Sequence, residues 1–428
     1  MDKISQLHDE LLLGILSLLP NAKDVVATMV LSKRWRYLWM MVPSLVYDDS
    51  YQDIDYGRFS RFVDRSLALH KAPVIDTLHF KLGKICGSGD TLIRATDKRC
   101  VRKLIIKIDD TSSRSSKTDQ VILPMSLCSG VHIMLADLKL QNVVLVDVST
   151  PVSFPSLKRL RLKSVKYPGN EFINKLISSC PVLEDLVVKQ CSDDNVTILT
   201  VRVPSLKRLS LIQRAELEID VPHDFVIDTP SLEHLKIVDY TYGSRVVKST
   251  MNRIITASMD IFSPQTKEIL GSLTSTKRLF LCLPNSKDAY PVGNIFGSLI
   301  HLTICTCETE WLNVLIRVLR DSPNLKTLKI EQYHNLRDED PRPCWNETSL
   351  VPEYLLPSLE TFEWVDYEGT KTEKQVVAFI LRIASCLKQA TIVSFKYIDH
   401  DKKLEMLNDF PVSSRRSPAC MLAFSWNL

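Results

Sequence analysis

Three groups of residues in this sequence have types and spacings that could do chemistry. The first is Cys305-Thr306-Cys307, with His301 close upstream. Thiolates and imidazoles are zinc ligands, but a zinc site read from spacing needs a second ligand pair nearby in the chain, and none follows. No metal site is therefore predicted. The second is Gly83-Lys84-Ile85-Cys86-Gly87-Ser88-Gly89, the one glycine-rich stretch. Its glycines fit neither the dinucleotide-binding fingerprint nor the phosphate-binding P-loop, so it reads as a surface loop. Cys86, Cys180 and Cys386 lie near serine or glycine without a nucleophile motif around them, and neither Gly-x-Ser-x-Gly nor His-Glu-x-x-His occurs. These features argue against catalysis within the chain and imply no cofactor.

The third group is a set of lysines and arginines, visible only through the elements that carry it. A pattern Leu-x-x-Leu-x-Leu begins at Leu135, Leu157, Leu183, Leu206, Leu232, Leu299 and Leu325, and more loosely at Ile75, Val101, Ile254, Thr276 and Leu359. Apart from two intervals of 34, successive starts differ by 22 to 26 residues, close to the spacing of leucine-rich repeats. The stretches Phe154-Pro155-Ser156-Leu157, Val203-Pro204-Ser205-Leu206, Thr229-Pro230-Ser231-Leu232 and Leu356-Pro357-Ser358-Leu359 are near copies. Proline there suits the entry to a strand, where its missing N–H does no harm. Apolar residues at helical spacing (Phe172, Ile173, Leu176, Ile177; Trp311, Leu312, Leu315, Leu319; Val377, Ile380, Leu381, Ala384) fall between strands. Each unit is expected to give one strand to a parallel concave sheet and a helix or loop to the convex side, an α/β solenoid. A repetitive β-sandwich is the rival architecture, and the intervening helices argue against it.

Side chains alternate along a strand, so the third, fifth and seventh positions of each unit should face the concave side. In the seven units from Ile75 to Leu232 these positions hold Lys81, Lys103, Lys107, Lys139, Arg159, Arg161, Lys163, Lys189, Arg208 and Lys236, against only Asp137 and Asp185. The later five units lose this bias. The stripe is a candidate surface for an acidic or phosphorylated target or another anionic ligand. Its structural alternative is a solvated basic face. A one-residue slip in register would dissolve the pattern. None of the same positions holds Phe, Trp or Tyr for base stacking, which argues against a nucleic-acid reader.

Composition frames these readings. Lys plus Arg minus Asp plus Glu is 54 − 50 = +4 over 428 residues, far from the charge of a dedicated DNA-binding protein. A 45% hydrophobic, 24% charged composition is that of a globular chain. No apolar run is long enough to span a membrane, and the first residues do not read as a signal peptide. The 11 cysteines at irregular spacings suggest free thiols in a reducing compartment, the cytoplasm or nucleus or both.

The first forty residues are the most distinctive. Leu12, Ile15, Leu16 and Leu19 lie on one face of a helix predicted over 9–19, closed by Pro20. Further short helices are expected over 23–30 and 33–40. So small a module cannot bury all this apolar surface alone. The stretch Ile4-Ser5-Gln6-Leu7-His8-Asp9-Glu10-Leu11, then Ile15-Leu16-Ser17-Leu18-Leu19-Pro20, then Leu31-Ser32-Lys33-Arg34-Trp35-Arg36-Tyr37-Leu38-Trp39 resembles a plant-type F-box. That resemblance implies docking on a Skp-type adaptor bridged to a cullin–RING scaffold, with Leu7, Leu11, Ile15, Leu16, Leu19, Leu31, Trp35 and Trp39 as candidate contacts. His8 stands where the family usually has proline, losing a fixed φ before the helix. Phe59, Phe62, Val63 and Leu67 suggest a connecting helix.

From Leu350 through Trp364 the chain resembles the FBD domain found at the C-terminus of many plant F-box/leucine-rich-repeat proteins. The organisation read from sequence is an F-box over 1–48, repeats over 49–343 and an FBD cap over 344–428. The resemblance implies a non-catalytic substrate receptor of a ubiquitin ligase, with an unknown protein as target. A non-degradative scaffold, or a nucleic-acid-binding repeat protein using the basic face, is the alternative.

Overall fold

The computed structural model describes residues 4–49, 56–83, 100–108, 122–124, 134–146, 153–190, 195–213, 224–241, 243–262, 265–283, 290, 293–308, 311–334, 356–394 and 415–426. They fall into two compact units, Met1–Leu206 and Lys207–Leu428.

The first unit opens with three short helices. Asp9–Leu16 carries Asp9 and Glu10 in its first turn, where carboxylates offset the helix dipole. His8 precedes it at φ −64°, the value proline would fix, and its carbonyl accepts from Leu11 and Leu12 N–H at 3.1 and 3.2 Å. The loss of the ring has thus left the backbone conformation in place. The Asn21 side chain caps Ala22–Ala27 by accepting from Asp24 N–H at 2.9 Å. The helices expected over 23–30 and 33–40 appear as Ala22–Ala27 with a 3₁₀ turn Thr28–Val30, and Trp35–Leu38 with a 3₁₀ turn Trp39–Met41. Their shared core is Leu12, Leu16, Val25, Trp35, Leu38, Trp39 and Val42.

Strong backbone ties join this module to the neighbouring helix and strands. Met40 carbonyl accepts from Lys71 and Ala72 N–H at 2.7 and 3.2 Å, and Pro43 carbonyl from Asp76 N–H at 2.8 Å. The predicted connecting helix is Tyr56–Leu69, with Phe59, Val63 and Leu67 buried. Ser66 Oγ lies 2.8 Å from Tyr47 Oη, and the His70 ring 2.9 Å from Val42 carbonyl.

Six parallel strands then run in chain order: Ser44–Asp48, Thr77–Leu82, Lys103–Ile108, Asp137–Val146, Arg159–Lys166 and Asp185–Lys189. In the second unit nine do the same: Arg208–Gln213, His234–Asp239, Thr256–Ile261, Arg278–Cys282, His301–Cys305, Thr327–Glu331, Thr361–Tyr367, Gln389–Ser394 and Met421–Trp426. Consecutive strands pairing in parallel, with returns between them, make each unit a stretch of solenoid. Every repeat start read from the sequence sits two residues before one of these strands. Ser44–Asp48 was not among the predicted repeats, since its Leu45 and Tyr47 depart from the leucine pattern.

The returns vary. Asn170–Ser178, Trp311–Arg320 and Lys371–Ile383 are the expected helices, and Lys267–Gly271 is a further short one. Between Lys207 and Ile255, however, the described returns carry strands: Asp224–Asp228 pairs with Arg245–Val247 in a small parallel ladder apart from the main sheet. Runs such as Phe225-Val226-Ile227 favour extended backbone.

The repeated Pro-Ser-Leu has a more exact role than strand entry. Leu157 N–H donates to Phe154 carbonyl at 3.3 Å, Leu206 to Val203 at 3.1 Å and Leu232 to Thr229 at 3.2 Å. Proline is thus the second residue of a β-turn, where its fixed φ is favourable. The serine reaches the previous repeat: Ser205 Oγ donates to Leu183 carbonyl at 2.8 Å, and Ser358 Oγ to Pro323 carbonyl at 3.2 Å. Asn142 and Ser164, at φ 56° and 50°, sit side by side where two strands change phase, so that Val143 and Val165 turn inward again. Asparagine tolerates this left-handed conformation better than most residues.

Candidate functional site

Two surfaces of the first unit stand out. On the N-terminal module, the residues singled out from sequence divide into two sets. Leu16, Trp35 and Trp39, expected among the contacts, are buried in the module's own core. Leu7 and Leu19 pack partly against that core. Leu11, Ile15 and Leu31 point outward, at 56%, 45% and 63% exposure. Sequence reasoning missed their strongest companions, Leu18 at 85% and Val30 at 82%. Leu11, Ile15 and Leu18 follow i, i+4, i+7 spacing, a second stripe beside the one that faces inward. A filled core beneath so many exposed aliphatic groups is the pattern of an interaction surface.

One charged contact holds this surface in shape. Arg34 Nε and Nη2 donate to Asp9 Oδ1 at 2.8 and 2.5 Å, and Nη2 also donates to Leu7 carbonyl at 2.6 Å. The start of the first helix is thereby tied to the entry of the third.

The second surface is the open face of the strands. In both units the repeat leucines are buried while third and fifth positions are exposed or half-buried, except Asp137, so the inferred register is the observed one. Cross-strand pairing arranges the charges of the first unit in rows. The third positions read Lys103, Asp137, Arg159, Asp185, alternating in sign. Asp137 is buried and accepts from Arg159 Nε at 3.1 Å and Arg161 Nη1 at 3.3 Å. The fifth positions read His79, Ile105, Lys139, Arg161, Val187. The seventh positions read Lys81, Lys107, Gln141, Lys163, Lys189, with Asp48 beside Lys81 at 3.2 Å. Lys81 lies directly across from Lys107, and Lys163 from Lys189. Like charges placed opposite each other on neighbouring strands oppose stability.

His79 senses this field. Burial, then Lys81 and Lys139, lower its pKa to about 4, against the opposing pull of Asp48. The imidazole is therefore neutral at physiological pH. Arg208 and Lys236, also part of the predicted stripe, belong to the second unit, where their neighbours across the ladder are His234 for Arg208, and Ser210 and Ser258 for Lys236.

The second unit's face differs. Its seventh positions include Val238, Asp260, Cys282 and Cys305, all buried. Tyr240, Phe262, Phe280 and Tyr333 pack around them, with Tyr240 stacked on Phe262 at 4.3 Å and Phe280 edge-on to Tyr333 at 5.5 Å. Cys86 and the rest of the glycine-rich stretch over 84–89, like Leu350 to Leu355 of the FBD resemblance, lie outside the described residues. Among the described residues all cysteines are free thiols, and no helix is long and apolar enough to cross a membrane.

Comparison with known proteins bears on both surfaces. Residues 4–47 match the F-box domain, 90–261 the leucine-rich repeats of FBD-associated F-box proteins, and 346–392 the FBD domain. An FBD-associated F-box protein of Arabidopsis thaliana is 98% identical over 428 residues, the whole of both chains. The chain belongs to the F-box/FBD/leucine-rich-repeat family. A second FBD-associated F-box protein of the same plant is 57% identical across 99% of this chain and all of its own. An F-box/FBD/LRR-repeat protein, also from Arabidopsis thaliana, is 44% identical across 99% of both. In this F-box/FBD/leucine-rich-repeat chain the exposed aliphatic surface lies within the F-box match, and the rows of lysine within or just before the repeat match.

Proposed function

We propose that this chain is the substrate-recognition subunit of a Skp–cullin–F-box ubiquitin ligase. The observation that carries this reading is the F-box surface of Leu11, Ile15, Leu18, Val30 and Leu31, exposed over a core that is already filled. A helical Skp-type adaptor covering it removes apolar area worth ~1.5–3 kcal/mol for each fully buried side chain. The adaptor joins the chain to a cullin–RING scaffold, where the RING subunit and its charged partner enzyme carry out transfer. The receptor contributes proximity and no catalytic group of its own. Such an assembly works in the cytoplasm or nucleus, in keeping with free thiols.

The basic rows of the first unit's sheet support recruitment of an acidic or phosphorylated protein. These rows carry more lysine and arginine than carboxylate, a balance that an anionic group on a ligand would complement. A nucleic acid would meet the same charge but find no aromatic platform on these strands.

The test is co-purification with a Skp-type adaptor. Leu11→Asp with Leu31→Asp should abolish capture while the circular dichroism spectrum and melting temperature stay near wild type, because both side chains are already in water. Trp35→Ala should instead unfold the module. Undiminished adaptor capture by the Leu11→Asp, Leu31→Asp protein would overturn the reading.

A further inference from the structure

Tertiary structure completes what Cys305-Thr306-Cys307 begins. The Sγ atoms of Cys282, Cys305 and Cys307 all lie within 4.8 Å of one another, with Cys282 and Cys307 at 3.3 Å. Cys282 belongs equally to a second group, in which its sulfur, an Asp260 oxygen and a His334 ring nitrogen lie within the same distance. The His334 ring stands 3.1 Å from Asp260 Oδ1 and 3.2 Å from Oδ2. His301, the histidine near in sequence, is at the other end of its strand, about 13 Å away by strand rise.

We propose that these residues bind a thiophilic divalent cation of the zinc class, with Cys282, Cys305 and Cys307 as three ligands and the fourth supplied by the Asp260–His334 pair. Three sulfurs and one imidazole or carboxylate form a closed, tetrahedral structural set. With metal–sulfur bonds of ~2.3 Å, tetrahedral sulfurs stand roughly 3.8 Å apart, so the three sulfurs need only small adjustments to close on an ion, and the Asp260–His334 pair, within reach of Cys282, must swing toward Cys305 and Cys307 to complete the set. The surroundings are those of a metal site. Asp260, Cys282 and Cys305 are almost fully buried. Tyr333 N–H points at Cys305 Sγ at 3.4 Å, a bond that favours the thiolate, and Tyr240 Oη donates to Asp260 at 3.0 Å. Phe280 packs against the cysteines, and the Tyr333 ring meets Phe280 edge-on at 5.5 Å and His334 edge-on at 4.9 Å.

A disulfide between Cys282 and Cys307 is the competing chemistry. It would use two of the three sulfurs, require an approach of more than an ångström to bonding distance and leave both Cys305 and the Asp260–His334 pair without a role. The bound ion gives every member of the cluster one. It ties the segment after strand Thr327–Glu331, where Tyr333 and His334 sit, to strands Thr256–Ile261, Arg278–Cys282 and His301–Cys305.

The experiment uses the full chain, purified with its thiols reduced, loaded with zinc and passed through a desalting column. Elemental analysis should find about one zinc per chain, and a thiol-blocking mercurial should release it. Loading the wild type with cobalt should give the intense visible absorption of a tetrahedral, thiolate-bound ion, a readout that needs no variant. Cys305→Ser should drop zinc content at least tenfold, and His334→Ala and Asp260→Asn should identify the fourth ligand by which of them changes the cobalt spectrum. Wild type that retains no zinc and gives no such spectrum would overturn the proposal. So would stoichiometric zinc retained by a folded Cys282→Ser, Cys305→Ser, Cys307→Ser protein.

Discussion

The two units share one repeat and use it in opposite ways. In the first, charge is displayed: Arg159, Arg161, Lys139 and Lys163 stand on the open face of the strands, and their acid partner Asp137 is sunk between them. In the second, one charged pair is fully enclosed. Arg245 and Asp239 form an ion pair with no exposed side-chain surface. Asp239 also accepts from Thr241 N–H at 2.9 Å and Thr241 Oγ1 at 2.7 Å, while Arg245 Nη1 donates to Gly243 carbonyl at 2.8 Å. The same positions that carry lysine in the early strands carry Asp260, Cys282 and Cys305 in the later ones, under aromatic cover. One scaffold thus supports a basic open face in one unit and a fully enclosed ion pair in the other.

The sharpest way to break this contrast is to remove one charge from the enclosed pair. Asp239→Ala leaves the Arg245 guanidinium buried without its carboxylate and should cost about 3–5 kcal/mol, seen in chemical denaturation as a lower midpoint for the second unit. Asp137→Ala, where both arginines reach water, should cost much less, on the order of 1 kcal/mol. Equal losses would mean that the displayed and enclosed pairs do not differ as drawn.

Next in size is charge reversal on the displayed face. Lys139→Glu with Lys163→Glu should weaken binding of an acidic or phosphorylated peptide by roughly 10- to 100-fold, since each lost charge-assisted hydrogen bond contributes ~1.5–3 kcal/mol before compensation. Adaptor capture should not change, because the F-box surface is separate from these strands in the sequence and in its chemistry.

The smallest effect is the most local. His79 holds a folded pKa of about 4 against an ordinary value of 6.5, so the folded chain binds fewer protons than the unfolded one between these limits. Its contribution is intact above about pH 6.5 and falls away as pH drops toward 4. Side-chain NMR titration should show the His79 pKa rising when Lys139 is replaced by glutamate, and rising again when an anionic ligand occupies the rows. A His79 pKa indifferent to both would separate it from the basic face.

Much of this was legible in the sequence. Leu-x-x-Leu-x-Leu gave every strand of the repeats it named, because buried leucines at fixed offsets leave a parallel ladder only one register. The basic stripe was readable for the same reason. The F-box contacts were half readable: leucines mark both the core and the outer stripe of an eight-residue helix, and composition cannot say which side Leu11 or Leu16 takes. The cysteine cluster was hidden because its members approach across the ladder instead of along the chain. Cys282 and Cys305 share the seventh position of successive repeats, 23 residues apart, and aligning the repeats column by column is the signal that would have revealed them.

The hydrogen bonds from Lys71, Ala72 and Asp76 to Met40 and Pro43 carbonyls have a mechanical consequence. Together with the Tyr47–Ser66 and His70–Val42 contacts they make the junction between the first helices and the first strands a welded joint instead of a hinge. A cargo gripped by the early strands would be carried at a fixed offset from whatever grips the helices. The span from cargo to the site of chemistry would then be set by the length of the frame, and lengthening that joint by a few glycines should slacken it without touching either grip.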